Sequence, residues 1–237
     1  MKSVLHRAES RGHADHGWLD SHHSFSFAGY YNPERMHFGV LRVLNDDLVT
    51  GGGGFPPHPH DNMEIVSIPL RGDLAHKDSM GNGQVIRQGD VQIMSAGTGV
   101  VHSEFNHSKQ DPINFLQIWI LPKQRGIPPR YAQQSFPADQ RRNQFQTVVS
   151  ASPDDGPAVW INQDAWFSLG SFEASFETSY RLKSAEHGLY IFVLEGEIQA
   201  GSETLRRRDG LGIWETDEVG FKALSQAEVL VMEVAMG

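Results

Sequence analysis

The apolar residues of this chain fall in short runs that are rich in Val, Ile and Phe and bounded by Gly, Asn, Asp or Pro. Such runs are typical of β-strands, because β-branched and aromatic side chains suit a pleated surface and no 3.6-residue period is present. The pattern predicts strands at 40–44, 64–70, 91–94, 115–121, 148–150, 166–172, 190–194, 211–214 and 229–234. With no strongly amphipathic helix longer than about three turns, the sequence predicts an all-β fold.

Turn signals separate these runs. Asn82-Gly83, Gly89-Asp90 and Asp209-Gly210 are dipeptides that favour the tight turns of β-hairpins. Strands that follow one another at such short intervals pair antiparallel in a sandwich or a barrel. We therefore expect antiparallel hairpins throughout the chain.

A composition break divides the chain near its middle. Residues 126–146 are polar and proline-containing and show neither the strand nor the helix period, which predicts a linker. On either side of it a weak repeat is present, because EIVSIPLRGDL at 64–74 resembles YIFVLEGEI at 190–198. We therefore predict two related β-domains, an N-terminal domain at 1–125 and a C-terminal domain at 147–237.

Charge and composition narrow the range of partners. The chain has 20 Lys and Arg against 29 Asp and Glu, a formal net charge of −9 that repels phosphate backbones. We find no apolar stretch of the roughly 20 residues that a membrane span needs and no signal-peptide hydrophobic region. The sequence thus predicts a cytoplasmic protein that binds neither nucleic acid nor membranes. The absence of cysteine excludes disulfides and thiolate metal sites, so a bound metal needs nitrogen and oxygen ligands.

Two pairs of polar residues carry the strongest chemical signal. His58 and His60 are two positions apart, and His102 and Glu104 repeat this spacing about forty residues later. Alternate residues of an extended segment project to the same side, so two adjacent strands would direct three imidazoles and one carboxylate to one point. That donor set suits one divalent first-row transition ion. Iron(II) is our first choice, while nickel, manganese, copper, cobalt and zinc remain open.

The motifs around these residues resemble the two cupin motifs of pirins. The resemblance rests on HPH followed by Glu64 and Gly72, on MSAGTGVVHSE at 94–104, and on RGHADHGWLDSHHSFSF near the N-terminus. It implies a bicupin, with two antiparallel β-barrel domains of the jelly-roll type. It also implies that His58, His60, His102 and Glu104 bind the metal. The chain resembles the short bacterial branch that is associated with quercetin 2,3-dioxygenase activity.

Some positions depart from the general cupin pattern. In most cupins the first-motif glutamate, here Glu64, is a metal ligand, so Glu64 is the main rival of Glu104. Ser95 stands where the common second motif has proline. The C-terminal half has only His187 in the matching stretch and neither histidine pair, so we expect a degenerate cupin domain without metal.

Seven other histidines of the first half have no partner at ligand spacing, and a hydrogen-bonded structural role is the expected one for His13, His16, His22, His23, His37, His76 and His107. His22 and His23 would point to opposite faces of a strand, so at most one can face the metal.

The resemblance implies a function. We expect a metal-dependent dioxygenase that cleaves flavonols such as quercetin with release of carbon monoxide, its partners being a planar phenolic substrate and dioxygen. Glu104 would act as a ligand and as the base that accepts the substrate proton. The alternative is a redox-sensing regulatory pirin that binds a protein partner without catalytic turnover, and another small-molecule cupin enzyme is a third possibility. A monomer is expected.

Overall fold

The computed structural model describes residues 1–236, and Gly237, the last residue of the predicted C-terminal domain, lies outside the described residues. It contains the strands β1 Lys2–His6, β2 Gly12–Asp15, β3 Leu19–His23, β4 Leu41–Val49, β5 Gly54–His60, β6 Glu64–Arg71, β7 Leu74–Asp78, β8 Gly83–Ile86, β9 Asp90–Ser95, β10 Val100–Asn106, β11 Ile113–Ile120, β12 Arg130–Ser135, β13 Phe145–Ser150, β14 Val159–Trp160, β15 Ala165–Phe172, β16 Glu177–Arg181, β17 His187–Glu195, β18 Glu197–Ala200, β19 Glu203–Arg206, β20 Gly210–Trp214, β21 Glu218–Ala223 and β22 Ala227–Ala235.

The helices of this part of the chain are short 3₁₀ turns at Ala8–Ser10, Ala138–Arg141 and Pro153–Asp155. Among residues 1–236, no helix has the length and apolar character that crossing a membrane requires. Every segment predicted as a strand from the apolar runs coincides or overlaps with an observed strand. The prediction of an all-β fold is therefore confirmed.

The strands form four sheets, two in each half of the chain. The first half has a large sheet of order β12-β9-β6-β11-β4-β3-β2 and a small sheet of order β5-β10-β7-β8. The second half repeats this plan with a large sheet of order β1-β20-β17-β22-β15-β13-β14 and a small sheet of order β16-β21-β18-β19. Apart from β13 with β14, the strand pairs are antiparallel.

The expected closed barrels are not observed, because the large and small sheets of each half keep separate hydrogen-bonded edges. Strand β5 shows one physical reason. Pro56, Pro57 and Pro59 lack the N–H groups that a second ladder would need, so β5 pairs only with β10 and remains an edge strand.

Two segments differ from the sequence-based expectation. The predicted linker at 126–146 contains β12, which pairs along its whole length with β9. Its side chains are half-buried and mostly polar, so it lacks the apolar alternation that would have identified it. At the other end of the first half, β1 pairs with β20 and extends the large sheet of the second half.

The largest hydrophobic core lies between the two large sheets. Leu44, Leu116 and Ile118 of the first half contribute to the same buried cluster as Phe167 and Phe192 of the second half. A second cluster fills the interior of the second half. The halves are thus joined by apolar burial, which is the dominant favourable term in folding.

We predict that Leu116→Ala lowers the free energy of unfolding by about 2–5 kcal/mol, because it leaves a cavity in this shared core. Leu48→Ala is the matched control, since Leu48 is 43% exposed and its loss should cost less than about 0.5 kcal/mol. Urea denaturation of both variants measures the difference, and equal costs would show that the large sheets do not share a tightly packed core.

Candidate metal centre

Pairing between β5 and β10 brings three histidines together. His102 lies directly opposite His58 in the register, and Val100 lies opposite His60. The ring centroids are 4.4 Å apart for His58 and His102, 4.9 Å for His58 and His60, and 5.0 Å for His60 and His102. The alternation predicted from the sequence therefore places these three imidazoles on one side of the small sheet.

The hydrogen bonds around this cluster leave nitrogen lone pairs free. His58 Nδ1 lies 2.8 Å from the Pro56 carbonyl oxygen, to which it donates, so Nε2 of this ring is the available ligand atom. His102 is buried, and neither of its ring nitrogens has a hydrogen-bond partner. One nitrogen from each of the three rings lies within 4.8 Å of the others. An unpartnered buried imidazole between two others fits a divalent metal ion better than it fits a hydrogen-bonded core.

Burial keeps two of these rings, those of His60 and His102, neutral. Burial, with a smaller contribution from His58, lowers the pKa of His60 to about 4. Burial and the neighbouring imidazoles of His58 and His60 lower the pKa of His102 to about 2. Because a metal ligand must offer a free lone pair, neutral imidazoles at physiological pH are the form that binds metal.

Glu104 is fully buried on the same strand as His102, and the opposite sheet holds its carboxylate. Ser67 Oγ donates to Oε1 at 3.0 Å and Gln117 Nε2 donates to Oε2 at 2.6 Å. Burial raises the pKa of Glu104 to about 7, against the opposing effect of these two hydrogen bonds. A Glu104 oxygen, a His102 nitrogen and a His76 nitrogen also lie within 4.8 Å of one another. Glu104 therefore borders the histidine cluster from the side of His102.

Glu64, the alternative carboxylate ligand, forms hydrogen bonds away from the histidine cluster. Its carboxylate accepts hydrogen bonds from Ser95 Oγ at 2.6 Å and from the backbone N–H of Asn162 at 3.2 Å. Asn162 belongs to the second half, so Glu64 ties the two halves together. Glu64 is absent from the metal-competent clusters found among residues 1–236.

Sequence reasoning assigned His76 only a structural role, yet it lies beside the cluster. It is buried on β7, its ring is 5.3 Å from that of His102, and its Nε2 hydrogen-bonds Asp78 Oδ2 at 3.1 Å. His76 Nδ1 has no partner. His76 and Asp78 are themselves two positions apart on a strand, and this spacing is the signal that could have found them.

The adjacent residues His22 and His23 do lie on opposite faces of β3. His23 is buried on the inner face, whereas His22 forms an outer cluster with His13 and Asp20. In that cluster Asp20 Oδ1 lies 2.9 Å from His13 Nε2 and 3.4 Å from His22 Nδ1. Because it is exposed and its members already pair with each other, it has the character of a solvated surface network.

A cavity of about 490 Å³ opens beside the histidines. Its lining includes His58, His60 and Glu104 as well as the aromatic rings of Phe27, Tyr30, Phe55 and Trp119. A larger cleft of about 550 Å³ elsewhere on the surface contains none of His58, His60 and His102. An apolar cavity with a few polar groups beside a metal-competent cluster is the usual form of a small-molecule site.

Beneath the cavity, the large sheet has an unusual inner surface. One row of directly paired positions is polar in strand after strand, and its members from β3 to β12 are His23, Asn45, Gln117, Ser67, Gln92 and Gln133. Gln117 and Ser67, in the centre of the row, hold Glu104. Buried polar groups destabilise a fold unless they are partnered, so a row of them marks a functional interior.

These observations define a class: an all-β protein of two similar halves, whose first half has a histidine cluster suited to a divalent metal beside an aromatic cavity. Comparisons with known proteins agree. A family model described as Pirin matches residues 4–120, and one described as Quercetinase C-terminal cupin domain matches residues 147–234. The chain belongs to the pirin family.

Individual relatives cover nearly the whole chain. A protein named quercetin 2,3-dioxygenase from Escherichia coli K12 is 42% identical over 234 residues, which are 97% of this chain and 97% of the relative. A pirin-like protein from Caulobacter vibrioides is 39% identical over 224 residues, 94% of this chain and 96% of the relative. The crystal structure of the bacterial pirin YhhW from Escherichia coli in complex with nickel(II) superposes with a TM-score of 0.93 at 38% identity, covering 100% of both chains.

Two adjacent aspartates of β4 should have opposite effects on how the stability of the metal-free protein depends on pH. Burial raises the pKa of Asp47 to about 7. The folded state then holds a proton that the unfolded chain has released, so stability from this group is complete below about pH 4 and is lost as the pH rises to about 7. Asp47→Asn should therefore gain stability relative to the wild type between these pH values, by up to about 4 kcal/mol.

Asp46 is the matched control, because its side chain lies on the other face of β4. Burial raises its pKa, but the nearby guanidinium groups of Arg208 and Arg11 and the amide of Asn114 outweigh burial and lower it overall. Asp46→Asn should lose stability relative to the wild type above about pH 4. Thermal unfolding of both variants from pH 4 to 8 gives the comparison, and parallel curves would contradict the assignment.

Proposed function

We propose that this protein is a metal-dependent dioxygenase that cleaves flavonols such as quercetin and releases carbon monoxide. The observation that carries the proposal is the cluster of three imidazoles, bordered by the buried carboxylate of Glu104, beside an aromatic cavity. Relatives that cover nearly the whole chain bear the name quercetin 2,3-dioxygenase, which supports the same reaction class. The substrates are then a planar phenol and dioxygen.

His58, His60, His102 and Glu104 are the proposed ligands of one divalent ion. Iron(II) is the first choice for dioxygen chemistry, and the nickel(II) complex of a relative supports a divalent first-row metal at this site. The bound ion would supply Lewis acidity that makes the enolic hydroxyl of a flavonol more acidic, together with the capacity to react with dioxygen.

The residues of the chain would position the substrate and accept its proton. Trp119, whose ring is 5.0 Å from that of His60, and Phe27, whose ring is 5.3 Å from that of Trp119, form an aromatic wall for a planar molecule. A carboxylate oxygen of Glu104 accepts the proton of the substrate 3-hydroxyl. Ser67 and Gln117 hold this carboxylate in place, and the buried setting excludes water that would compete for the proton.

The activity itself is directly testable. Protein loaded with iron, nickel, manganese, copper or cobalt is incubated with quercetin in air, and the loss of the visible absorbance of quercetin is followed together with carbon monoxide. We expect both signals with at least one metal. Their absence with every metal would exclude this activity and favour the alternative of a regulatory pirin without turnover.

Variants separate binding of the metal from catalysis. His102→Ala should abolish retention of the metal, because it removes the buried central ligand. Glu104→Gln should lower turnover about 10²–10⁴-fold, the usual contribution of a general base, with a smaller loss of metal content. Glu64→Gln is the control, since Glu64 bonds Ser95 and Asn162 instead. Full carbon monoxide release by Glu104→Gln would contradict the role of Glu104 as the base. Metal loss in Glu64→Gln but not in Glu104→Gln would make Glu64 the carboxylate ligand.

A further inference from the structure

A second carboxylate lies in the wall of the same cavity, apart from the proposed ligands. Asp47 of β4 lines the cavity and is 3% exposed. It faces inward with Asn45, two positions before it on the strand, while Asp46 between them lies on the outer face with Arg208. Asp47 is therefore part of the polar surface on which a bound molecule would rest.

A chain of hydrogen bonds holds Asp47 in place. Ser21, directly opposite Asp47 in the register, donates its hydroxyl proton to Asp47 Oδ1. Ser21 Oγ also lies 2.8 Å from His23 Nε2. A serine hydroxyl has only one proton, so with that proton given to Asp47, Ser21 Oγ accepts from His23 Nε2–H. The order His23 to Ser21 to Asp47 fixes the orientation of the carboxylate.

The protein leaves this carboxylate incompletely partnered. Within residues 1–236, the hydrogen bond from Ser21 to Oδ1 is the only one to the Asp47 side chain, so Oδ2 has no partner. No Lys or Arg lines the described cavity, so no cation neutralises the charge there. Asp47 Oδ2 is not one of the fully buried atoms without a partner, so it stays open to a donor from the cavity that Asp47 lines. A ligand that brings a hydroxyl group would supply the missing donor.

We propose that Asp47 Oδ2 accepts a hydrogen bond from a second hydroxyl of the substrate, distinct from the hydroxyl at the metal centre. This proposal rests on the proposed function and assigns its specificity: the cavity selects planar enols that have a further phenolic hydroxyl. Asp47 is the specificity-determining residue, and Ser21 and His23 are positioning residues. When Asp47 is ionised, as at pH 8, a hydrogen bond to its carboxylate is about twice as strong as a neutral one, which makes Asp47 an effective discriminator.

The test measures binding without turnover. Nickel-loaded protein is titrated under argon at pH 8 with quercetin and with 3-hydroxyflavone, which has only the hydroxyl beside the carbonyl group. Quenching of tryptophan fluorescence reports binding, since Trp119 lines the cavity. The wild type should bind quercetin at least about tenfold more tightly, as a site built for a hydroxyl rejects an analogue that lacks it.

Substitutions at Asp47 should remove this preference. In Asp47→Leu the affinity ratio of the two compounds should fall to about one, with 3-hydroxyflavone affinity changed by less than about threefold, because only the distal contact is lost. Asp47→Asn keeps the shape of the side chain and a weaker acceptor, so its affinity ratio should lie between those of the wild type and Asp47→Leu. This variant provides the test if the leucine variant does not fold. Asp20→Asn, on the exposed face of β3, is the matched control and should keep the ratio of the wild type.

Substitutions at Ser21 test the positioning role. Ser21→Ala should weaken quercetin binding about threefold to tenfold without affecting 3-hydroxyflavone, since Asp47 loses its orienting donor. Ser21→Thr restores the hydroxyl and should recover most of the loss, which a merely structural effect of the alanine would not show.

The outcomes separate the two proposals. An unchanged ratio in both Asp47 variants, or a wild type that binds the two compounds equally, would overturn the role of Asp47 and leave the flavonol assignment intact. A wild type that binds neither compound would overturn both. Discrimination that depends on Asp47 without oxygen-dependent turnover would support this binding site and reject the dioxygenase.

Discussion

The pairing of two short strands is the constraint on which the candidate site depends. Strand β5 has three prolines and can pair on one side only, and β10 takes that side in a register that puts His102 opposite His58. A shift of one residue would turn His102 to the outer face of the sheet, because side chains alternate along a strand. Gly54 favours this register, since a Cβ at this position would lie 2.5 Å from the Glu104 carbonyl oxygen. Close approach of the two backbones thus requires glycine there.

The opposite sheet completes the site at a cost in stability. Its inner face presents a polar row where a simple sandwich would have apolar side chains, and atoms of His23, Asn45 and Gln92 in that row have no partner in the protein. Such groups are tolerated because the other face of this sheet is strongly apolar and packs on the second half. The second half therefore supports the first through burial, while the polar row stays available for chemistry. One sheet thus contributes to stability through its apolar face and to the candidate site through its polar face.

The sequence was informative where a signal is local. Strand positions follow from short apolar runs, and the spacing of His58, His60, His102 and Glu104 predicted the faces on which these residues lie. The structure adds what depends on distant pairing. Nothing local connects Ser21 with Asp47, or Glu104 with Gln117, because β3, β4, β10 and β11 meet only in the folded sheets. Polar strands such as β12 lack a hydrophobic period, so the pattern of apolar residues does not reveal them. That pattern also does not show whether the edges of two sheets pair to close a barrel.

Strand β1 has a consequence for how the molecule is made. Lys2 pairs with Trp214, so β1 is synthesised long before β20, the strand with which it pairs. Contacts over so long a separation are slow to form, because closing the intervening loop costs entropy before any bond is gained. During synthesis β1 lacks this partner until β20 has been made. The pairing of β1 with β20 is therefore a late step of folding, and it joins a strand that precedes the sheets of the first half to the large sheet of the second half.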